Sequence, residues 1–189
     1  MAVHSGDRAH WEKIAFITAL CERHIPNYAL FCETIDAPQQ AKQLQKVLNK
    51  VWEYLAGQLN SMKNLEKALL LLEELTPEPS EEDGYGVYPA LDCCLLLTSA
   101  LQMILDDSID DVEAAAGLSI ATVSQFIALS EDIDEFDPEQ QQHDLYDQEL
   151  ELQRWLNERL KVKAATTEII KSLRKELSEF DSSNLGIAL

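Results

Sequence analysis

The sequence contains few of the residues that interrupt helices. Six glycines and six prolines are spread over 189 residues, too few for a turn-rich sandwich or a disordered chain. No segment alternates polar and apolar residues for long enough to form a strand, and no internal repeat is present. Hydrophobic residues make up 46% of the chain, enough to bury one good core. We therefore expect a single all-α domain spanning residues 1–189.

Positive charge is missing from the middle of the chain. No Lys or Arg lies between Ala68 and Gln153, whereas 22 of the 34 acidic residues do, and the net charge is −19. Such a surface repels phosphate backbones and anionic lipid, so we predict no nucleic-acid and no membrane partner. A basic partner or divalent cations would be attracted to it. The start of the chain has no apolar signal-peptide core, which favours a cytoplasmic location.

Motifs of common enzyme sites are also missing. The sequence has no HExxH or Glu-x-x-His pair, no Gly-rich phosphate loop, no GxSxG elbow and no CxxC pair, so we predict no cofactor. The four cysteines lack paired spacing and are interpreted as reduced, buried thiols. Cys21 and His24 lie three residues apart, and we interpret them as a buried thiol beside a helix-end histidine rather than a nucleophile and its base.

One apolar stretch dominates the chain. From Tyr88 to Leu105 only four polar residues interrupt an apolar run without a cation, which predicts a helix that is apolar nearly all round. The length would suit a membrane span, but acidic residues flank it on both sides and no Lys or Arg sets an orientation. We predict an up-and-down bundle of about seven to eight helices around this buried central helix.

Apolar spacing and capping residues predict the other helices. Pro26 is expected to separate two N-terminal helices, and Asp36 is expected to cap the helix that follows them. Further along the chain, Gly117 is expected to end a short helix, and Ser119 is expected to cap the helix after it. The expected ranges are Arg8 to His24, Pro26 to Ile35, Pro38 to Leu59, Ser61 to Leu75, Val112 to Ala116 and Ile120 to Ser130. The segments TPEPSEEDGYG and EDIDEFDPE are predicted to be acidic loops.

The C-terminal region predicts an unusually long helix. Helical spacing continues from Pro138 to about Phe180, which corresponds to roughly 60 Å of helix. Such a helix is too long for a compact domain. Either it breaks near Ala164 to Thr167, or its end packs on a second copy, which makes a homodimer an expectation. Asn184 and Gly186 are expected in left-handed turns beyond it.

Several short motifs together resemble a known bacterial family. The residues are Cys21-Glu22-Arg23, Pro26-Asn27-Tyr28 with Phe31, Trp52-Glu53, Tyr85-Gly86-Val87-Tyr88-Pro89-Ala90 with Asp92, Ser119-Ile120 with Thr122-Val123, and Ser183-Asn184-Leu185-Gly186-Ile187. They resemble the YjaG-like proteins, a domain of unknown function numbered 416 in its series. The resemblance implies an all-helical cytoplasmic protein and a link to sensor histidine kinase signalling.

Asp92 is the residue of the apolar helix that most needs a partner. An isolated buried carboxylate costs several kcal/mol, so it must be paired, hydrogen-bonded or protonated. Arg23 is the best candidate among the cations of the first helix. We expect a polar centre between the two helices formed by Glu22, Arg23, Asn27, Tyr28, Tyr88 and Asp92. On this hypothesis Asp92→Ala leaves Arg23 unpaired and lowers the free energy of unfolding by about 3 kcal/mol.

A second acidic cluster has the spacing of a magnesium site. Asp106, Asp107 and Asp110 spell DDxxD, in which carboxylates three and four residues apart on one helix face converge on a hard cation. No second acidic motif and no basic cluster for a diphosphate accompany it, so helix capping is the preferred interpretation and these residues are weak metal candidates.

Three classes of function stay open. We favour a non-enzymatic interaction or signalling accessory protein that uses its acidic surface and its long C-terminal helix for partners or self-association. The first alternative is a magnesium-dependent phosphoester or pyrophosphate hydrolase that uses the DDxxD cluster or the acidic loop. The second is a small-ligand-binding protein that uses the aromatic residues Tyr28, Trp52, Tyr85 and Tyr88.

Overall fold

The computed structural model describes residues 9–81, 83–134 and 137–188. The described residues form seven α-helices and one 3-10 helix, and they contain no strand apart from a single bridge between Ser182 and Ala188. The α-helices are α1 (His10–Thr34), α2 (Pro38–Leu55), α3 (Met62–Leu75), α4 (Val87–Leu105), α5 (Val112–Glu131), α6 (Asp144–Arg159) and α7 (Thr167–Leu177), and the 3-10 helix covers Pro138–Gln142. The predicted all-α bundle is confirmed. Arg8, Glu82, Glu135 and Phe136, in the predicted first helix and acidic loops, lie outside the described residues.

The most enclosed helix is α1. Eight consecutive residues, Ile14 to Cys21, are buried, and α1 packs against α2, α4, α5, α6 and α7. Helix α4, the predicted central helix, is mostly buried and packs mainly on α1. It also keeps an exposed stripe at Tyr88, Leu95 and Gln102, seven residues apart. The stripe follows from helical periodicity, since residues seven apart share one face.

Two predicted helix breaks do not occur. Helix α1 continues through Pro26 and α5 continues through Gly117. A proline inside a helix loses one backbone hydrogen bond, and a glycine costs about 1 kcal/mol relative to alanine. Tertiary packing outweighs both costs, because residues on each side of Pro26 and of Gly117 are buried in the bundle.

The start of α2 also differs from the prediction. Helix α2 begins at Pro38, as expected, but its N-cap is Ala37 and no side chain caps it. Asp36 instead adopts a left-handed conformation with φ 55° in the turn between α1 and α2. Because α1 runs to Thr34, the chain must reverse within three residues, and this tight turn takes Asp36 out of the capping position.

The long C-terminal helix is interrupted. Helix α6 ends at Arg159 and α7 begins at Thr167, so the first of the two alternatives, a break near Ala164 to Thr167, is present. Thr166 is the N-cap of α7 and accepts a hydrogen bond from the backbone N–H of Ile169. Arg159 makes a bidentate salt bridge with Glu176, which joins α7 to the end of α6.

The C-terminal tail folds back into the bundle. Gly186 has φ 76°, as predicted, whereas Asn184 has no left-handed conformation. Ser183 is buried, and its hydroxyl accepts hydrogen bonds from the backbone N–H groups of Leu185 and Ile187. This turn directs Asn184 into the interior.

Candidate functional site

A buried polar centre joins α1 to α5, α6 and the C-terminal tail. We define it by six side chains, each at most 6% exposed. They are Arg23, His24 and Asn27 of α1, Ser119 of α5, Glu149 of α6 and Asn184 of the tail. Because long polar side chains are rarely buried without partners, this centre is the most unusual feature of the interior.

Hydrogen bonds run through the centre from α1 to α6. The Nε2 atom of His24 lies 3.0 Å from the Ser119 hydroxyl and 3.0 Å from the Asn184 amide nitrogen. Ser119 donates to Glu149 at 2.7 Å, and Gln153 donates to the same carboxylate oxygen at 2.8 Å. The Asn27 amide donates to the Asn184 side-chain oxygen at 2.8 Å. One network therefore connects three helices and the tail.

The charges of the centre are governed by burial. Burial and then the positive charge of Arg23 lower the pKa of His24 to about 3, so the imidazole is neutral. Burial raises the pKa of Glu149, while hydrogen bonds from Ser119 and Gln153 and the charge of Arg23 oppose that shift. Burial lowers the pKa of Arg23, and the charges of Glu149 and Asp181 oppose that shift without cancelling it. Arg23 and Glu149 therefore stabilise each other's charged forms at long range.

The arrangement of Ser119, His24 and Glu149 is not that of a hydrolase triad. In a triad the carboxylate orients the histidine, which in turn activates the serine. Here the carboxylate accepts from the serine, and all three side chains are at most 1% exposed. A substrate has no access to the hydroxyl, so the contacts support a structural role for this trio.

Four buried polar atoms of the centre have no hydrogen-bond partner among the described protein groups. They are Arg23 Nε, His24 Nδ1, Asn27 Oδ1 and Glu149 Oε2. An unpaired buried polar atom costs about 1 to 3 kcal/mol. Each of these atoms therefore has capacity for a further hydrogen bond.

The expected pair between Arg23 and Asp92 is wrong. Asp92 accepts a hydrogen bond from Thr122 of α5 at 2.7 Å, whereas Arg23 donates to the Ser182 carbonyl and stacks on Phe180. Burial raises the pKa of Asp92, and the Thr122 bond opposes the shift. The predicted effect of Asp92→Ala loses its basis, since Arg23 does not depend on that carboxylate. The Asp92 side chain is half-buried, so the Thr122 hydrogen bond and contact with solvent are enough to satisfy it, and it needs no cationic partner.

The other predicted members of that polar centre have separate partners. Glu22 accepts from the Trp52 indole at 2.5 Å and from Arg174 at 3.2 Å. The buried Tyr28 hydroxyl donates to the Leu75 carbonyl at the end of α3. Tyr88 lies at the surface, 45% exposed, against Tyr85. Of the six predicted residues, only Arg23 and Asn27 are in the buried polar centre.

The DDxxD residues do not converge on one helix face. Asp106, Asp107 and Asp110 lie in the loop between α4 and α5, because α4 ends at Leu105. Asp106 accepts from the backbone and hydroxyl of Ser108, and Asp110 pairs with Lys13 at 2.7 Å. No group of three or more His, Cys, Asp or Glu side chains in the described part of the chain is arranged to hold a metal ion.

Sequence reasoning missed His24, Glu149 and Gln153 as members of a network. The interpretation of His24 as a helix-end residue is wrong, because α1 continues for ten residues beyond it. The sequence predicts only a helix cap at Ser119 and a turn at Asn184. A signal was present, since both belong to the motifs that resemble the YjaG-like family, as do Arg23 and Asn27. The polar residues of those motifs, considered together, therefore indicate four of the six members of the centre.

The second candidate site is the outward side of α5. Within the described residues α4 and α5 are long and apolar enough to cross a membrane by length and composition, and 61% of the most apolar window of α4 is buried. For α5 the share is only 33%. Between the acidic residues at its two ends, the exposed or partly exposed residues of α5 include a row that is small or apolar apart from one glutamine. We call this row the outer α5 face: Ala114, Gly117, Ala121, Gln125, Ala128 and Leu129.

Clefts line both sides of the outer α5 face. One of about 500 Å³ lies toward α4 and contains Tyr85, Tyr88 and Leu129. Two others, of about 500 and 670 Å³, lie toward the 3-10 helix and α6 and share Tyr146. The acidic residues along these clefts include Glu113, Asp134 and Asp137, and Arg154 is the single cation among the described residues lining them.

These features define an all-α bundle with a sealed polar centre and with one apolar helix, α5, that is only partly buried. A family model described as "Protein of unknown function (DUF416)" matches residues 8–188. The chain is 31% identical to an uncharacterized protein of Haemophilus influenzae over 180 residues, 94% of this chain and 91% of that protein. It is equally identical to the uncharacterized protein YjaG of Escherichia coli, covering 94% of this chain and 90% of that one.

A solved structure agrees with these relatives. The crystal structure of a DUF416 family protein from Shewanella baltica, at 1.91 Å resolution, matches with a TM-score of 0.81 and 33% identity over 97% of this chain and 95% of that one. The chain therefore belongs to the DUF416 family, and the resemblance based on the short motifs is confirmed.

Proposed function

We propose that this protein is a cytoplasmic, non-enzymatic interaction protein that binds a basic amphipathic helix of a partner protein on the outer α5 face. The observation that carries the proposal is the exposure of α5, an apolar helix of 20 residues that is only one-third buried over its most apolar window. Contiguous exposed apolar surface on a soluble domain commonly marks an interaction site.

The shape of the face suits a helix. The small residues Ala114, Gly117 and Ala121 allow the backbone of a second helix to approach closely, and the clefts beside them accept larger side chains. Amphipathic helices bind such grooves with apolar anchors at positions i, i+3, i+4 and i+7. Leu129, at 60% exposure, and the Tyr85 and Tyr88 rings provide apolar contacts toward one end.

The charge of the surroundings selects the partner. The chain carries no cation between Ala68 and Gln153, a range that contains α4, α5 and the acidic cleft residues. A basic helix is attracted to this face, whereas a second copy of the same face would place like charges together. The predicted link to sensor histidine kinase signalling and the predicted homodimer both stay predictions.

A defined peptide tests the proposal. A fluorescent amphipathic helix of leucine, alanine and lysine, about 18 residues long and so close to the length of α5, should bind in fluorescence anisotropy with micromolar affinity that weakens with salt. The same peptide with glutamate in place of lysine should not bind. Leu129→Lys should weaken binding at least about tenfold, because it removes an apolar contact and repels the peptide.

Leu70→Lys is the matched control, since Leu70 on α3 is also 60% exposed. It should leave the affinity unchanged. Failure of the basic peptide to bind, or an equal loss in both variants, would contradict the proposal. Flotation of the protein with neutral phosphatidylcholine vesicles would also contradict it, because the same apolar face would then be a lipid-binding surface.

A further inference from the structure

We propose that a groove between α1, α7 and the C-terminal tail binds a small organic phosphate monoester. The groove has a volume of about 330 Å³, at the lower end of the range for small-molecule sites. It is separate from the outer α5 face, and the inference does not depend on the function proposed for that face.

The groove gathers positive charge on a strongly acidic protein. The chain has 15 cationic and 34 acidic residues. Four of the cationic residues line this one groove, and Glu22 is the only acidic residue among the described residues that line it. The four cations are Arg23, Lys171, Arg174 and Lys175. Grouping like charges is unfavourable in the absence of an anion, so the arrangement points to an anionic ligand.

The acidic residue of the groove is already engaged. Glu22 accepts from the Trp52 indole and from Arg174, and Arg174 also donates to Asn49 at 2.6 Å. Lys171 and Lys175 have no ion-pair partner among the described residues. They lie four residues apart on α7 and therefore share one face, so both are available to a ligand.

Arg23 forms the buried end of the groove. It is only 6% exposed, and no carboxylate of a described residue lies within 4 Å of its guanidinium. The Ser182 carbonyl and the Phe180 ring, 5.1 Å away, hold the guanidinium in place. A fixed guanidinium that lines a groove and has no carboxylate in contact is suited to bind phosphate oxygens.

The remaining lining explains why the ligand is an organic phosphate rather than a free ion. Ile25, Pro26, Leu177 and Phe180 give the groove apolar walls beside its cations. An apolar or aromatic body next to the phosphate would contact these walls. Glu149 and Asp181 act on the charge of Arg23 from outside the lining. The lining itself still has four cations and one carboxylate, which match the double negative charge of a phosphate monoester better than the single charge of a carboxylate.

Phenyl phosphate is the probe, measured by isothermal titration calorimetry on the full chain. Because substitution of buried Arg23 is expected to disturb the fold, the test changes the exposed Lys171 and Lys175. The double substitution Lys171→Gln and Lys175→Gln should weaken phenyl phosphate binding at least about tenfold. Phenol, which has the same ring and no charge, should not bind.

The matched control is Lys63→Gln with Lys67→Gln. These two lysines are exposed, lie four residues apart on α3 and do not line the groove. The control removes the same charge and should leave the affinity for phenyl phosphate unchanged. The inference is overturned if phenyl phosphate does not bind the wild-type protein, if phenol binds as well, or if both pairs of substitutions weaken binding equally.

Discussion

His24 shows how a single buried residue controls the pH response of the fold. Its pKa in the folded protein is about 3 against an ordinary value of 6.5, because the interior disfavours the imidazolium. As the pH falls below 6.5 the unfolded chain takes up a proton at this residue and the folded chain does not. The contribution of His24 to stability is therefore complete above pH 6.5 and is lost progressively toward pH 3.

We predict that His24→Gln reduces this loss. Between pH 7 and pH 5 the wild-type free energy of unfolding should fall by about 2 kcal/mol more than that of the variant, as measured by urea denaturation. Glu149 and Arg23 face His24 and are present in both proteins, so their contributions cancel in the difference. The raised pKa values of Glu149 and Asp92 act in the opposite direction, because their protonation favours the folded state. Parallel pH curves for the two proteins would contradict the assignment.

At the scale of elements, the break between α6 and α7 depends on local capping. A continuous helix over this region would carry its apolar stripe away from the bundle. The break allows α7 to return and bury Ile170, Leu173 and Leu177. Thr166 defines where α7 restarts, by accepting the Ile169 backbone N–H at 3.2 Å.

Thr166→Ala should therefore lower the free energy of unfolding by about 1 kcal/mol. For a chain of this size that corresponds to a fall of about 2 to 4 °C in the melting temperature, measured by differential scanning calorimetry. Thr166→Ser keeps the hydroxyl and should stay within a few tenths of a kcal/mol of the wild type. If the two variants are equally destabilised, the side-chain cap is not what stabilises the start of α7.

At the scale of the whole molecule, the net charge of −19 opposes compaction. Only five salt bridges join described residues, and four of them involve side chains more than 20% exposed on both partners. Such exposed pairs contribute little to stability. Self-repulsion between the acidic residues is therefore largely uncompensated within the described part of the chain.

Screening should relieve this repulsion. Raising the NaCl concentration from about 0.01 M to about 1 M shortens the Debye length from about 30 Å to about 3 Å. We predict a rise of several degrees in the melting temperature, followed by circular dichroism at 222 nm. KCl should have the same effect, since screening depends on ionic strength. A fall in the melting temperature, or a response to one salt only, would contradict this account.

The sequence alone determined the fold class and most helix positions. Apolar residues at helical spacing are a local pattern, and for that reason α3 and α4 are within one residue of their predicted ranges. Helix α2 begins at the predicted Pro38 but ends at Leu55, four residues before the predicted end. The break before α7 and the family resemblance were also readable from residue types along the chain. Local signals failed at Pro26 and Gly117, where burial of the flanking residues outweighed the cost of one unfavourable residue.

Only the tertiary structure decided which polar residues meet. Arg23 contacts Ser182, and His24 contacts Asn184, although about 160 residues of sequence separate the members of each pair. These contacts depend on how the C-terminal tail packs across α1. Helical periodicity states which face a side chain occupies but not which helix lies opposite that face. For this reason the sequence indicated that Asp92 and Arg23 need partners but not which ones. The packing of α5 determined that Thr122 is the partner of Asp92, and the packing of the C-terminal tail determined that Ser182 is the partner of Arg23.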